Sequence, residues 1–153
     1  MPTARPHSVA AGAQHRRATG AALWIDIGRA VYHLARARAA LGTADLVELI
    51  GTVSDGAAAP ADPPDAAVID RIAYVIPRVG CRVPWRSDCL IQAHAAQRWL
   101  AHHAIPSRIC IGGRTREGRF DAHAWLVAGE TIVTGWDNAE FDTYAEFGVG
   151  PAD

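Results

Sequence analysis

The sequence has only three cysteines, Cys81, Cys89 and Cys110, and no two of them form a Cys-x-x-Cys pair. Its seven histidines contain no His-x-x-x-His pair either, so the spacing does not suit a structural zinc site. An odd cysteine count in a chain without an apolar secretory signal argues against a disulfide framework. We therefore expect reduced thiols and a cytoplasmic protein.

Long apolar runs and an excess of basic charge are also missing. No segment approaches the ~20 apolar residues of a membrane span, so we expect no membrane partner. Fifteen basic residues against sixteen acidic ones give a formal charge of −1, which argues against nucleic acid as a partner. The first acid is Asp26, and residues 1–20 show no hydrophobic period. We predict that this Arg-bearing stretch is a disordered tail.

The remaining length suits one domain with its own core, because half of the 153 residues are hydrophobic. We expect that domain to span residues 21–153, with a helical part over 21–80 and a catalytic core over 81–145. Hydrophobic residues at three- and four-residue spacing predict helix from Ala21 to about Leu49, with a break at Gly42-Thr43 that leaves a short second helix, Asp45–Ile50. Residues 51–64 are predicted to form a loop.

A further helix is predicted from Pro64-Asp65, closed by Pro77 and Gly80. Beyond it the pattern predicts a helix from Cys89 to about His103, with Ser87 or Asp88 as its N-cap. Three strand-like runs follow: Ser107–Gly112, Phe120–Val127 and Thr131–Val133. Gly112-Gly113 and Glu117-Gly118 predict a turn between the first two runs, and Ala128-Gly129-Glu130 predicts one between the second and the third. This order predicts an α+β domain with its helices on one face of a small antiparallel sheet.

Cys89 is the cysteine whose predicted position favours chemistry. The unpaired N–H groups and the dipole of a helix N-terminus favour an anion, and the thiolate is the nucleophilic form of cysteine. Cys110 falls in a strand between two isoleucines and is better explained as a small buried residue. Cys81, in the loop before the helix, has no evident activator.

His123 is the candidate base. It alternates with Trp125 and Val127 along a predicted strand, so a polar ring shares the face of apolar side chains and needs a partner or a function. If the next turn is centred near Gly129, residues between Thr134 and Asp137 lie opposite His123. Asp137 would then orient the imidazole. Asn138 and Asp142 are alternatives for this third role, and Asp121 is a weaker one.

A metal site is the rival interpretation of these residues. His94, His102 and His103 share the predicted helix with Cys89, and His94 and His102 lie on roughly one face of it. Late-helix histidines more often complement the helix C-terminus, and the ligand spacing of a structural zinc site is missing. We therefore expect no metal and no other cofactor.

Several motifs together resemble the transglutaminase-like peptidases of lasso-peptide biosynthesis. The similarity covers about residues 24–141 and rests on these residues: Trp85-Arg86-Ser87-Asp88-Cys89-Leu90, Gln92-Ala93, Ile105-Pro106-Ser107-Arg108, Ile111-Gly112 and Ala122-His123-Ala124-Trp125. The resemblance implies a transglutaminase-like (papain-like) fold and a cysteine peptidase that removes the leader from a ribosomally made precursor. A separate ATP-dependent cyclase then closes the ring.

The resemblance also implies the roles of single residues. Cys89 would be the nucleophile, His123 the general base and Asp137 the third member, although Trp136 interrupts the family's usual Gly-Asp at this point. The oxyanion hole would use the Cys89 backbone N–H, with Trp85 and Gln92 as candidates for the second donor and for substrate binding.

The implied partners are the precursor peptide, a leader-recognition protein supplied as a separate chain, and the cyclase as a further possibility. The sequence before Cys81 shows no strand signals, so we expect no recognition domain within residues 21–80. Two other functions use the same features. A transglutaminase-like acyl transferase would need the same triad. A non-catalytic binding scaffold would not need all three residues.

Overall fold

The computed structural model describes residues 20–42, 63–135 and 142–149. These residues form three helices and four strands: α1 (Ala21–Leu41), α2 (Pro63–Gly80), α3 (Cys89–Ala101), β1 (Ser107–Arg116), β2 (Arg119–Ala128), β3 (Thr131–Thr134) and β4 (Asp142–Val149). The strands form one antiparallel sheet in the order β3-β2-β1-β4, against which the helices pack. The expected α+β class is confirmed.

Two predicted breaks are not where the pattern put them. Helix α2 ends at Gly80 as predicted, but Pro77, which was expected to help close it, lies inside the helix. A proline removes one backbone donor, but this close to the helix end later N–H groups still bond, as Cys81 N does to Pro77 O at 3.1 Å. Gly112-Gly113 lies inside β1, because the chain reverses only at Glu117 and Gly118, whose φ angles are 52° and 77°.

The sheet is also larger than the predicted three strands. β4 pairs antiparallel with β1 from Ser107 to Gly113, with a register shift between Ile111 and Gly112. Its sequence alternates apolar and polar residues only weakly, so no strand was expected there. The predicted tail, the helix Asp45–Ile50 and the loop up to residue 62 lie outside the described residues.

An ion pair fixes α1 on α2. Asp26 is 2% exposed, and its two carboxylate oxygens accept hydrogen bonds from Arg71 Nη2 at 2.6 Å and Nε at 3.1 Å. The bond to Asp26 raises the pKa of the Arg71 guanidinium. Because the carboxylate is buried while Arg71 is partly exposed, losing Arg71 would leave an uncompensated charge inside the domain. The pair therefore specifies how the two helices meet.

Helix α3 occupies the centre of the core. It contacts α1, α2 and strands β1, β2 and β3, and three of its alanines are fully buried: Ala93, Ala95 and Ala96. Small side chains let the neighbouring elements approach the helix closely, while Trp99 and Leu100 fill the space near its end. Among the described helices, none is long and apolar enough to cross a membrane.

A buried histidine joins α1 to the end of α3. The ring of His33 stacks on Trp99, with centroids 5.3 Å apart and planes at 13°. Burial lowers the pKa of His33 from 6.5 to about 4, and the positive side chains nearby add to this shift: His102, Arg98, Arg29 and His103. The folded protein therefore holds this imidazole neutral at neutral pH.

This neutral imidazole makes folding sensitive to acid. The folded pKa lies below the unfolded one, so the unfolded chain binds the proton first and stability falls as pH drops from 6.5 towards 4. In the His33→Phe variant, which keeps the stacking, we expect the free energy of unfolding to fall by about 1–3 kcal/mol less between pH 6.5 and 4 than in the wild type. Urea unfolding at several pH values measures it. The exposed Arg119→Gln, outside the groups that act on His33, should keep the wild-type slope. An unchanged slope in His33→Phe would contradict the assignment.

Candidate active site

Cys89 is the first residue of α3. Asp88 is its N-cap, with extended backbone and a carboxylate that accepts a hydrogen bond from Ile91 N at 3.2 Å. Arg86 Nε lies 3.1 Å from the other oxygen of the same carboxylate. The predicted cap and the predicted position of the cysteine are therefore confirmed, and the helix N-terminus is presented at Cys89.

The three cysteines differ in their exposure. Cys81 is exposed, Cys89 is half-buried against the core, and Cys110 is 3% exposed within β1. No disulfide joins any of the three. The expectation that Cys110 is a small buried residue is confirmed. Only Cys89 combines partial access with a helix N-terminus.

The loop that leads into α3 is tied to its first turn. Gln92 Nε2 donates a hydrogen bond to the backbone oxygen of Ser87 at 2.9 Å, so part of this amide is already engaged. Trp85 packs on the core, and its Nε1 is buried without a hydrogen-bond partner among the described residues. Trp85 therefore brings an indole donor to the loop four residues before Cys89.

His123 lies where β2 enters the core. Residues 119–122 of this strand are exposed, His123 is half-buried, and Ala124 to Leu126 are buried. Ala124 and Leu126 belong to the hydrophobic core, and His123 shares its strand parity with Trp125. The two rings stack with centroids 6.1 Å apart, as the predicted shared face requires. β2 packs against α3, so Cys89 and His123 lie on adjoining elements.

Three of the candidates for the third site residue, beside Cys89 and His123, belong to the chain between β3 and β4 or to its end. Asp137 and Asn138 are outside the described residues, and of Asp142 the structure describes the backbone, which pairs with Gly113. Asp121 is exposed, with Oδ2 3.6 Å from Arg114 Nε across the hairpin. Its position makes it the weakest candidate.

Both ends of that connection border the histidine. Gly112 of β1 pairs with His123 on one side and with Thr143 on the other. At the other end Gly135 has φ of 78°, and a Cβ there would lie 2.6 Å from Trp125 Cβ. The connection therefore starts at Gly135, which lies against Trp125, two residues after His123. It ends next to Thr143, which shares the pairing partner Gly112 with His123.

The described residues do not assemble a metal site. No three of their His, Cys, Asp or Glu side chains come together in a way that could hold an ion. His94 is buried within α3, and burial, followed by the charge of Arg98, lowers its pKa against the opposing effect of Gln97. Neither of its ring nitrogens has hydrogen-bond geometry to a described residue. His102 and His103 are exposed beyond the helix end.

A comparison with protein-family models matches residues 30–147 to the transglutaminase-like superfamily. The chain belongs to this superfamily. Comparisons with curated proteins and with solved structures gave no match. Transglutaminase-like domains include cysteine peptidases and acyl transferases, and the helix that starts at a cysteine beside an antiparallel sheet agrees with such a domain. The superfamily does not by itself specify the substrate.

Alkylation tests whether Cys89 is an activated thiol. If exposure alone decided reactivity, the exposed Cys81 would react with iodoacetamide before the half-buried Cys89. Because Cys89 lies at a capped helix N-terminus, we expect it to react about tenfold faster than Cys81, and Cys110 to resist until the protein unfolds. Peptide mass spectrometry over time measures all three. The urea-unfolded protein is the control, and a native order that follows exposure would contradict activation.

Proposed function

We propose that this transglutaminase-like protein is a cysteine peptidase that removes the leader from a ribosomally synthesised lasso-peptide precursor. The observation that carries the proposal is the placement of Cys89 at the capped N-terminus of α3, a helix that packs against β2, the strand that holds His123. The motifs around these two residues support the precursor as substrate, because they resemble those of lasso-peptide leader peptidases.

The chemistry follows from a thiol and an imidazole. Cys89 Sγ attacks the carbonyl carbon at the leader–core junction while His123 takes the thiol proton. The imidazolium then gives that proton to the leaving amine, so the core peptide departs and a thioester joins the leader to Cys89. Water, deprotonated by His123, attacks the thioester. The leader leaves with a carboxylate, and the thiol is restored.

Asp137 is our candidate for the group that orients His123. Two residues span at most about 7 Å, so Asp137 stays within reach of Gly135, which packs on Trp125. The imidazolium formed during the reaction gains from a carboxylate beside it. Asn138 and Asp142 belong to the same chain segment and are the alternatives.

Stabilisation of the oxyanion would come from the helix start and from Trp85. The backbone N–H of Cys89 has no carbonyl to bind within its own helix, because it belongs to the first turn. The Nε1 of Trp85 is buried and has no partner among the described residues, so it could donate to a substrate oxygen once the loop around it moves. We assign Trp85 as the second donor.

Cleavage of the precursor tests the proposal. We expect the protein, together with a separate leader-recognition protein, to cut a lasso-peptide precursor at one junction, as seen by mass spectrometry. Cys89→Ala should lower the rate at least about a thousandfold, since no nucleophile remains. Cys81→Ala, which removes an exposed thiol, is the matched control and should leave the rate unchanged.

His123→Gln is the sharper variant, because the His123 side chain alternates with the core-facing residues of β2. A fall of about a hundredfold or more is expected if His123 is the base. Cleavage that survives in Cys89→Ala would exclude the thiol mechanism. Ammonia release from a glutamine substrate, with amine incorporation and no cleavage, would instead indicate acyl transfer.

The recognition partner is proposed to dock on α1. This helix exposes Trp24 (73%), Ile25 and Tyr32 (58%) on the side away from the core. Its exposed charged side chains are all arginines, since its acid, Asp26, is buried in the pair with Arg71. The partner surface should therefore combine apolar side chains with carboxylates. Free thiols agree with a reducing compartment, so we place the complex in the cytoplasm.

Removing the exposed aromatic side chains of α1 should weaken this complex. We expect the Trp24→Ser/Tyr32→Ser variant to bind the recognition protein at least about tenfold more weakly, because large aromatic anchors dominate such interfaces. Isothermal titration calorimetry measures the affinity. Phe120→Ser removes a comparably exposed aromatic, 65% exposed on β2, and serves as the control. Equal weakening by both variants, or by neither, would contradict docking on α1.

A further inference from the structure

The Gln92 side chain connects two segments that converge on Cys89. Gln92 is one turn into α3, and its Nε2 donates to the carbonyl oxygen of Ser87, two residues before the nucleophile. That carbonyl belongs to the peptide unit that leads into the N-cap Asp88. The amide therefore restrains the backbone immediately before Cys89.

Gly80, the last residue of α2, makes room for this arrangement. A Cβ at position 80 would lie 3.0 Å from both Cδ and Nε2 of Gln92 and 3.2 Å from Ser87 Oγ. Alanine normally suits a helix better than glycine does. Here the added methyl group would push against the amide that holds Ser87, so close contact with Gln92 accounts for a glycine at this position.

The loop between α2 and α3, residues 81–88, is held at both ends. At its start Arg82 N and Val83 N bond to the backbone oxygen of Val79 at 2.8 and 3.1 Å. At its end the Asp88 carboxylate caps α3. Between the two ends the Gln92 side chain bonds to the loop backbone at Ser87. Gly80 of α2 lies directly against the amide group of Gln92.

We infer that Gln92, packed against Gly80, is a positioning residue: it fixes the Ser87–Asp88 peptide and through it the backbone N–H of Cys89 that faces the reacting carbonyl. This inference rests on the proposed peptidase function and replaces the expectation that Gln92 binds substrate. Gln92 would stabilise the transition state, in which the oxyanion needs its donor in place, and would not contribute to substrate binding in the ground state.

The decisive variant is Gln92→Met, which keeps the length of the side chain and removes the donor. We expect kcat for precursor cleavage to fall about tenfold with KM unchanged within twofold, as loss of one oriented hydrogen bond predicts. Gln92→Glu, which carries no amide donor, should not restore kcat. Arg98→Gln, an exposed change on the same helix, is the control and should leave both constants unchanged.

Hydrogen exchange gives a measurement that needs no substrate. We expect Gln92→Met and Gly80→Ala each to speed exchange in the peptide spanning residues 81–92 but not in α1. In the Gln92→Ala background the Gly80→Ala change should have no such effect, since the amide it displaces is gone. This dependence distinguishes a specific contact from general loosening.

Each outcome decides the inference. A rise in KM with unchanged kcat would overturn it and return Gln92 to substrate binding. Unchanged exchange in residues 81–92, or additive effects of Gly80→Ala and Gln92→Ala, would overturn it as well. If wild-type protein cleaves no precursor, the proposed function fails, while the exchange measurements alone still confirm or refute the positioning contact.

Discussion

The close enclosure of α3 is the constraint on which the rest of the structure depends. A helix surrounded by two other helices and three strands needs small side chains where its neighbours approach, and Ala93, Ala95 and Ala96 supply them. Its N-terminus lies at the edge of the core, where the Asp88 cap and the half-buried Cys89 mark the start of the helix. The position of Cys89 is thus set by packing, and its local charge environment is set by the helix end.

Features that depend on neighbours in sequence could be predicted. Asp88 as cap and Cys89 as first helical residue follow from local capping rules, and the β2–β3 hairpin follows from alternation around a short turn. Features decided by distant contacts could not. Gly112-Gly113 resembles a turn, yet it remains in β1 because strands on both sides pair with it. The contact between Gly80 and Gln92 depends on how two helices meet, which no local pattern encodes.

Membership of the transglutaminase-like superfamily constrains the chemistry more than the substrate. In the proposed mechanism a thioester on Cys89 is common to hydrolysis and acyl transfer, and only the second acceptor, water or an amine, separates them. The thiol and the imidazole would therefore not select the substrate by themselves. The exposed aromatic side chains of α1, proposed above as a docking surface, lie on a helix that Asp26 and Arg71 join to α2.

The tight approach of Gly135 to Trp125 has a practical consequence for protein engineering. Any side chain at position 135 would collide with β2, so this glycine and the paired residue Asp142 act as fixed attachment points in the scaffold. The six residues between them can be exchanged as a cassette without touching either anchor. Libraries built in this window would vary Asp137 and Asn138, two of the candidates for the third site residue, while both attachment points stay the same.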